Sequence, residues 1–280
     1  MIIANSIAEV RAAVHSARAA GESIGFVPTM GALHAGHLSL VDASRARCDR
    51  TVVSVFVNPT QFGPGEDLDR YPRTFRADCE QLAERGCWLV FAPSNEEIYP
   101  PGYETFVEVG SVAEPWEGAC RPGHYRGVAT VVLKLLLMVG ADQAFFGQKD
   151  YQQSLVVRQL VADFNVPTEI VICPTVREAD GLAMSSRNAF LNPTQRHQAR
   201  ALWKSLQLAE ELCQTGERRT PILAGRIREC LAEAGITEVD YIALGKAGTV
   251  IAIDEVVGPT VVALAVRVGQ TRLIDNHQIG

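Results

Sequence analysis

Over residues 1–175, short apolar runs rich in β-branched residues alternate with segments of helical spacing. This alternation limits the chain to few architectures. The spacing predicts helices over 6–20, 38–46, 75–85, 125–139 and 154–164, separated by strands at 23–29, 51–57, 88–91, 143–146 and 169–173. The run Thr51-Val52-Val53-Ser54-Val55-Phe56-Val57 lacks regular polar alternation, as expected of a strand covered on both faces. A series of this kind implies an α/β fold with a parallel, doubly wound sheet.

The pattern changes after Pro174. Asn192-Pro193 reads as a helix start, with Asn as cap and Pro in the first turn, and the helix runs to about Cys213. A second helix spans Pro221 to about Gly235, followed by strands at 238–243, 260–268 and 271–274. The expected division is a larger domain over 1–175 and a smaller α+β domain over 176–280.

In a doubly wound sheet, ligands bind beyond the carboxyl ends of the strands. Four polar, glycine-bearing segments fall after expected strands: residues 30–37, 58–65, 147–153 and 176–187. They are expected to converge on one cleft. In the first, Met30-Gly31-Ala32-Leu33-His34-Ala35-Gly36-His37, a glycine turn leads into a helix. Its two histidines, three residues apart, share a face. Helix N-terminal N–H groups and imidazole donors suit phosphate. A metal pair is the alternative, but no third ligand lies nearby, and a capped surface helix is the other.

The second segment offers the neutral amides of Asn58 and Gln61, with Gly63–Asp69 as a candidate lid. Gly147-Gln148-Lys149-Asp150 places a mobile cation after a tight turn, without the spacing of a Walker A loop. Lys149–Asp150 could equally be a solvated pair. Met184-Ser185-Ser186-Arg187 supplies two hydroxyls and a guanidinium for a polyphosphate. His124 and Arg126 form a fifth candidate at a helix start, where both could also be merely exposed.

Composition narrows the partners. A formal net charge of −6 without a basic run argues against general nucleic-acid binding. The seven cysteines are scattered and never spaced Cys-x-x-Cys, which fits a reduced cytoplasmic setting better than a disulfide framework. No secretory signal is visible at the N-terminus. The most apolar stretch, 128–146, contains Lys134 and Asp142 and reads as a buried helix and strand, so no membrane span is expected.

Taken together, the motifs resemble a known family. Pro28 through His37 is similar to the HIGH element of the HIGH/KMSKS nucleotidyltransferases, and Met184-Ser185-Ser186-Arg187 to their KMSKS element. With Val57-Asn58-Pro59-Thr60-Gln61-Phe62-Gly63, Gly123-His124-Tyr125-Arg126-Gly127-Val128 and Phe146 through Gln153, the chain resembles the pantothenate synthetase family over essentially its full length.

The resemblance implies a Rossmann-like first domain and a cytoplasmic homodimer. It also implies ATP-dependent joining of (R)-pantoate to β-alanine through a pantoyl-adenylate, with Mg²⁺ accompanying ATP and no identified metal ligands. ATP binding would fall on Met30, Gly31, Ala32, Leu33, His34, Ala35, Gly36, His37, Gly147, Gln148, Lys149, Asp150, Val176, Met184, Ser185, Ser186 and Arg187. Pantoate contacts would fall on Gln61 and Gln153, with Gln61 also lining the β-alanine position. His37 corresponds to the assigned proton donor, and His34, Lys149 and Arg187 join it in the catalytic set. Gln148 departs from the family motif, which has Glu beside the lysine. The rival readings are another adenylyltransferase of the same superfamily and an ATP-binding module without turnover.

Overall fold

The computed structural model describes residues 1–280. Strand β1 (Ile2–Ala4) leads into α1 (Ile7–Ala19), where Ser6 and Glu9 form a reciprocal capping box. There follow β2 (Ile24–Thr29), α2 (Ala35–Arg45), β3 (Arg50–Val55), α3 (Phe75–Glu84) and β4 (Leu89–Phe91). Two single-turn helices, α4 (Asn95–Ile98) and α5 (Glu117–Cys120), precede α6 (His124–Val139), β5 (Gln143–Gly147), α7 (Tyr151–Asp163) and β6 (Glu169–Cys173).

The first six strands form one parallel sheet in the order β1-β4-β3-β2-β5-β6. From β2 the chain builds outward through β3 and β4 on one side, then returns to add β5 and β6 on the other. The topological switch therefore lies between β2 and β5, where the carboxyl ends of the strands open a crevice.

Successive strand residues point to opposite faces, and both faces are covered. Phe26, Val52, Leu89 and Ala144 pack with Val10, Val14, Leu136 and Leu160 of α1, α6 and α7. Their neighbours Val27, Val53, Val90 and Phe145 pack with Leu38, Val41 and Leu82 of α2 and α3. This two-sided burial accounts for the near-continuous apolar strands, each large side chain contributing roughly 1.5–3 kcal/mol.

Beyond β6, α8 (Pro193–Gln214) starts with an Asn192–Gln195 capping box and Pro193 in its first turn. It packs with α9 (Thr220–Glu233) on a separate antiparallel sheet, β7 (Glu238–Lys246), β8 (Thr260–Val268) and β9 (Thr271–Ile279), in that order. Leu202, Leu206, Leu223, Ile227, Val262, Leu264 and Val266 share its core.

The fold is the α/β doubly wound sheet with a smaller α+β unit that the sequence implies. Three differences have physical causes. β1 is only three residues long and has exposed isoleucines, so its pairing with β4 leaves no periodic signal. Helix α7 begins at Tyr151 rather than Ser154, continuing directly from a 3-10 turn over Gln148–Asp150. Strand β9 runs to Ile279 rather than 274, because Asp275 and Asn276 are buried with polar partners and break the apolar pattern without ending the strand.

Candidate active site

The turn after β2 is held from below. Gly31 and Ala32 adopt left-handed backbone conformations, φ 80° and 50°. The buried Asp78 carboxylate on α3 accepts the N–H groups of Ala32 at 3.0 Å and Leu33 at 2.8 Å. A Cβ on Gly31 would stand 3.1 Å from that carboxylate and from Val55. His34 then caps α2, its Nδ1 accepting the Gly36 N–H at 3.1 Å.

His37 lies in the first helical turn, its ring 4.1 Å from that of His34, centre to centre. Burial, reinforced by the Lys149 charge, holds the His34 pKa down to about 4. Burial and the neighbouring His34 hold His37 down to about 3. Both rings are neutral near pH 7. The His37 Nδ1 is buried without a protein partner.

After β3 a 3-10 turn over Pro59–Gln61 presents Gln61. The buried Asn58 amide donates to Gln61 Oε1 at 3.0 Å and to the Gly127 carbonyl at 3.2 Å. Its Oδ1 accepts from Tyr99 and Thr60, at 2.8 and 2.9 Å. Asn58 is thus spent on orienting Gln61, whose Nε2 also meets Met30 Sδ at 3.3 Å. The close approach requires glycine at 127, where a Cβ would lie 2.3 Å from the Thr60 carbonyl oxygen. His124, its pKa held down to about 4 by burial and by Arg121, donates from Nδ1 to the Gln61 carbonyl at 2.8 Å. Arg126 instead turns outward to Glu108 at 2.7 Å and stacks on Phe106.

The 63–69 segment is tied down at two carboxylates. Glu66 takes the Arg121 guanidinium at 2.6 and 2.7 Å. Asp67 takes Arg187 at 2.7 and 2.9 Å. Burial opposes both charges of the Asp67–Arg187 pair, but their attraction prevails, lowering the aspartate pKa and raising the arginine's.

From β5, Gly147 leads into the turn carrying Lys149, whose ammonium stands 3.6 Å from Asp150 Oδ1. Across from it, Met184 N–H donates to the Val176 carbonyl, Ser185 caps the Arg187 N–H, and Ser186 Oγ lies 3.2 Å from the Tyr71 hydroxyl.

These segments enclose a cavity of about 890 Å³. On its wall the structure brings together Met30, His34, Gly36, His37, Gln61, Gly147, Lys149, Asp150, Gln153, Val176, Met184, Ser185, Ser186 and Arg187. Gly31, Ala32, Leu33, Ala35 and Gln148 do not line it; they belong to the backbone of the turns behind it. Sequence reading missed Asp78, Arg121 and Tyr71, none of which sits in a recognisable motif. An acidic residue in the first turn of α3 is the only local hint for Asp78. No group of three or more His, Cys, Asp or Glu side chains is arranged to hold a metal ion, and His34 and His37 have no third ligand.

A doubly wound α/β sheet with a cavity at its switch point, lined by polar and apolar side chains together, defines the class: an α/β protein built to hold a small molecule beyond its strand ends. The family model for pantoate–β-alanine ligase matches residues 2–278. The chain is 49% identical over 280 residues to the pantothenate synthetase of Pelotomaculum thermopropionicum, covering 100% of this chain and 99% of that one. It is 50% identical to that of Moorella thermoacetica, covering 99% and 98%.

The structure of pantothenate synthetase from Thermus thermophilus superposes with TM-score 0.94 at 45% identity, covering 99% of each chain. A pantoate–β-alanine ligase from Francisella tularensis, solved with β,γ-ATP and β-alanine, superposes with TM-score 0.81 at 36% identity, covering 99% and 97%. The chain belongs to the pantoate–β-alanine ligase family and is a ligase.

Proposed function

We propose that this ligase condenses (R)-pantoate with β-alanine through a pantoyl-adenylate. A pantoate carboxylate oxygen attacks the α-phosphorus of MgATP, and the bond to pyrophosphate breaks. The β-alanine amine then attacks the acyl carbon, loses a proton and expels AMP, leaving pantothenate. The observation that carries this reading is the gathering of phosphate-suited groups and neutral amides around one cavity. The Francisella relative, solved with nucleotide and β-alanine, supports the same substrates here.

Each role follows from the residue's chemistry. The α2 N-terminus, the His34 and His37 N–H groups, Lys149, Ser185, Ser186 and Arg187 would bind the phosphates and stabilise charge on the transferring phosphoryl group. An anion beside the unpartnered His37 would raise its pKa toward that of a proton donor. Gln61 and Gln153 would hold pantoate through uncharged hydrogen bonds, with Gln61 bordering the amine's approach. Gly63–Asp69 would act as a lid that keeps water from the mixed anhydride. Mg²⁺ would accompany ATP on its phosphates and neutralise part of their charge.

We read residues 1–175 and 176–280 as the two domains of a cytoplasmic homodimer, consistent with the family resemblance. In the decisive assay, AMP should form from MgATP at full rate only with both pantoate and β-alanine present. Pyrophosphate release without any amide product would favour another adenylyltransferase reaction. ATP binding without turnover would remove the catalytic reading.

A further inference from the structure

Lys149 sits on a three-residue turn with no side-chain cap of its own. Its backbone is gripped instead by the C-terminal sheet. Asn276 on β9, only 4% exposed, donates from Nδ2 to the carbonyl of Gln148 at 3.0 Å and to that of Lys149 at 2.8 Å. Those two carbonyls belong to the peptide planes on either side of the Lys149 Cα. Because each peptide is planar, tethering both carbonyls restricts φ and ψ at Lys149. We propose that Asn276 is a positioning residue for Lys149, setting where its ammonium meets the nucleotide phosphates.

The grip is directional. An amide nitrogen has two hydrogens, and both are used on this turn. The Asn276 Oδ1 is buried without a partner, so the nitrogen side alone orients the amide. The reverse orientation would set an oxygen against two carbonyl oxygens.

Asn276 is itself locked. Its N–H donates to Asp275 Oδ1 at 2.8 Å, and its carbonyl accepts from Arg177 at 3.2 Å. Arg177 also forks the buried Asp275 carboxylate at 2.7 and 3.0 Å and stacks 3.7 Å above the Trp203 ring. Arg177 follows Val176 on the strand-end segment that continues to Met184–Arg187. One hydrogen-bonded path through β9 therefore sets the Lys149 turn in register with the segment bearing Ser185, Ser186 and Arg187.

This inference rests on the reading above in which Lys149 contacts ATP. Its test is equilibrium binding, by calorimetry, of a non-hydrolysable ATP analogue and of pantoate. The proteins are wild type, Asn276→Ala, Asn276→Leu (which keeps the branched side-chain shape without its donor), Lys149→Ala and the Asn276/Lys149 double variants, with folding checked by near-UV circular dichroism. Both Asn276 variants should weaken the analogue about tenfold or more and leave pantoate within about twofold. Neither should weaken the analogue further once Lys149 is alanine.

Wild-type affinity in the Asn276 variants would overturn the proposal. So would equal loss for both ligands, or a full additional loss in the Lys149→Ala background, each marking a merely structural amide. Wild-type affinity in Lys149→Ala alone would instead remove the phosphate role of Lys149, and this inference would fall with it.

Discussion

Around the candidate site, individual residues are used in ways their types alone do not reveal. Asn58 and Gln61 are both amides bordering the cavity, yet the buried Asn58 spends its amide nitrogen on two protein partners, one of them the Gln61 side chain. Lys149, lining the same cavity, would in the proposed reaction meet the charge building on the leaving pyrophosphate. Lys149→Ala should slow single-turnover pyrophosphate release by about 10²-fold or more with the fold intact, as loss of a transition-state donor does. Release at nearly the wild-type rate would exclude it from that step.

The depressed histidine pKa values make a second residue-scale prediction. Unfolded imidazoles protonate near 6.5, whereas folded His34 and His37 resist protonation down to about 4 and 3. The unfolded chain therefore binds more protons as pH falls below about 6.5, so the stability these rings contribute is full above that pH and lost below it. Between pH 7 and 5 each ring should forfeit up to about 2 kcal/mol. Urea unfolding at the two pH values should show a smaller drop for His37→Gln than for wild type; equal drops would contradict the buried, neutral assignment.

Among the elements, two close contacts hold the site in shape. Gly127 on α6 touches the carbonyl of Thr60, so Gly127→Ala must push α6 and the 59–61 turn apart. The expected effect is a destabilisation of about 1–3 kcal/mol, with pantoate affinity falling more than ATP affinity because Gln61 moves. A denaturation curve and the two binding constants check this; undisturbed pantoate binding would contradict the positioning of Gln61. Asp78 on α3 performs the corresponding task for the turn after β2. Asp78→Ala should cost about 1–3 kcal/mol, measurable by the same unfolding experiment, by leaving two N–H groups without their acceptor.

The alternation of helix and strand was legible because two-sided burial forces continuous apolar strands, and the motif loops were legible because they follow those strands. Asp78, Arg121 and Asn276 were not. Each acts on a segment far away in sequence, so no local spacing announces it. The second half of β9 was lost for the same reason: its polar residues find their partners only in the tertiary fold.

At the scale of the molecule, the parallel sheet supplies the strand ends and the antiparallel sheet braces them. Arg272 on β9 pairs with both Glu117 and Asp240, and Asn276 grips the Lys149 turn, so β9, which lines the cavity from Thr271 to Asn276, is tied to the surrounding segments at both ends of that stretch. No helix is long and apolar enough to cross a membrane.

In the proposed reaction, acyl activation would proceed by attack of the pantoate carboxylate on the α-phosphorus. Pantoate labelled with ¹⁸O in both carboxylate oxygens tests it most directly, with AMP and pantothenate analysed by mass spectrometry after turnover with MgATP and β-alanine. The expected result is one ¹⁸O atom in the AMP phosphate and one in the new amide. AMP free of label, or label appearing in inorganic phosphate alongside ADP, would contradict the adenylate route.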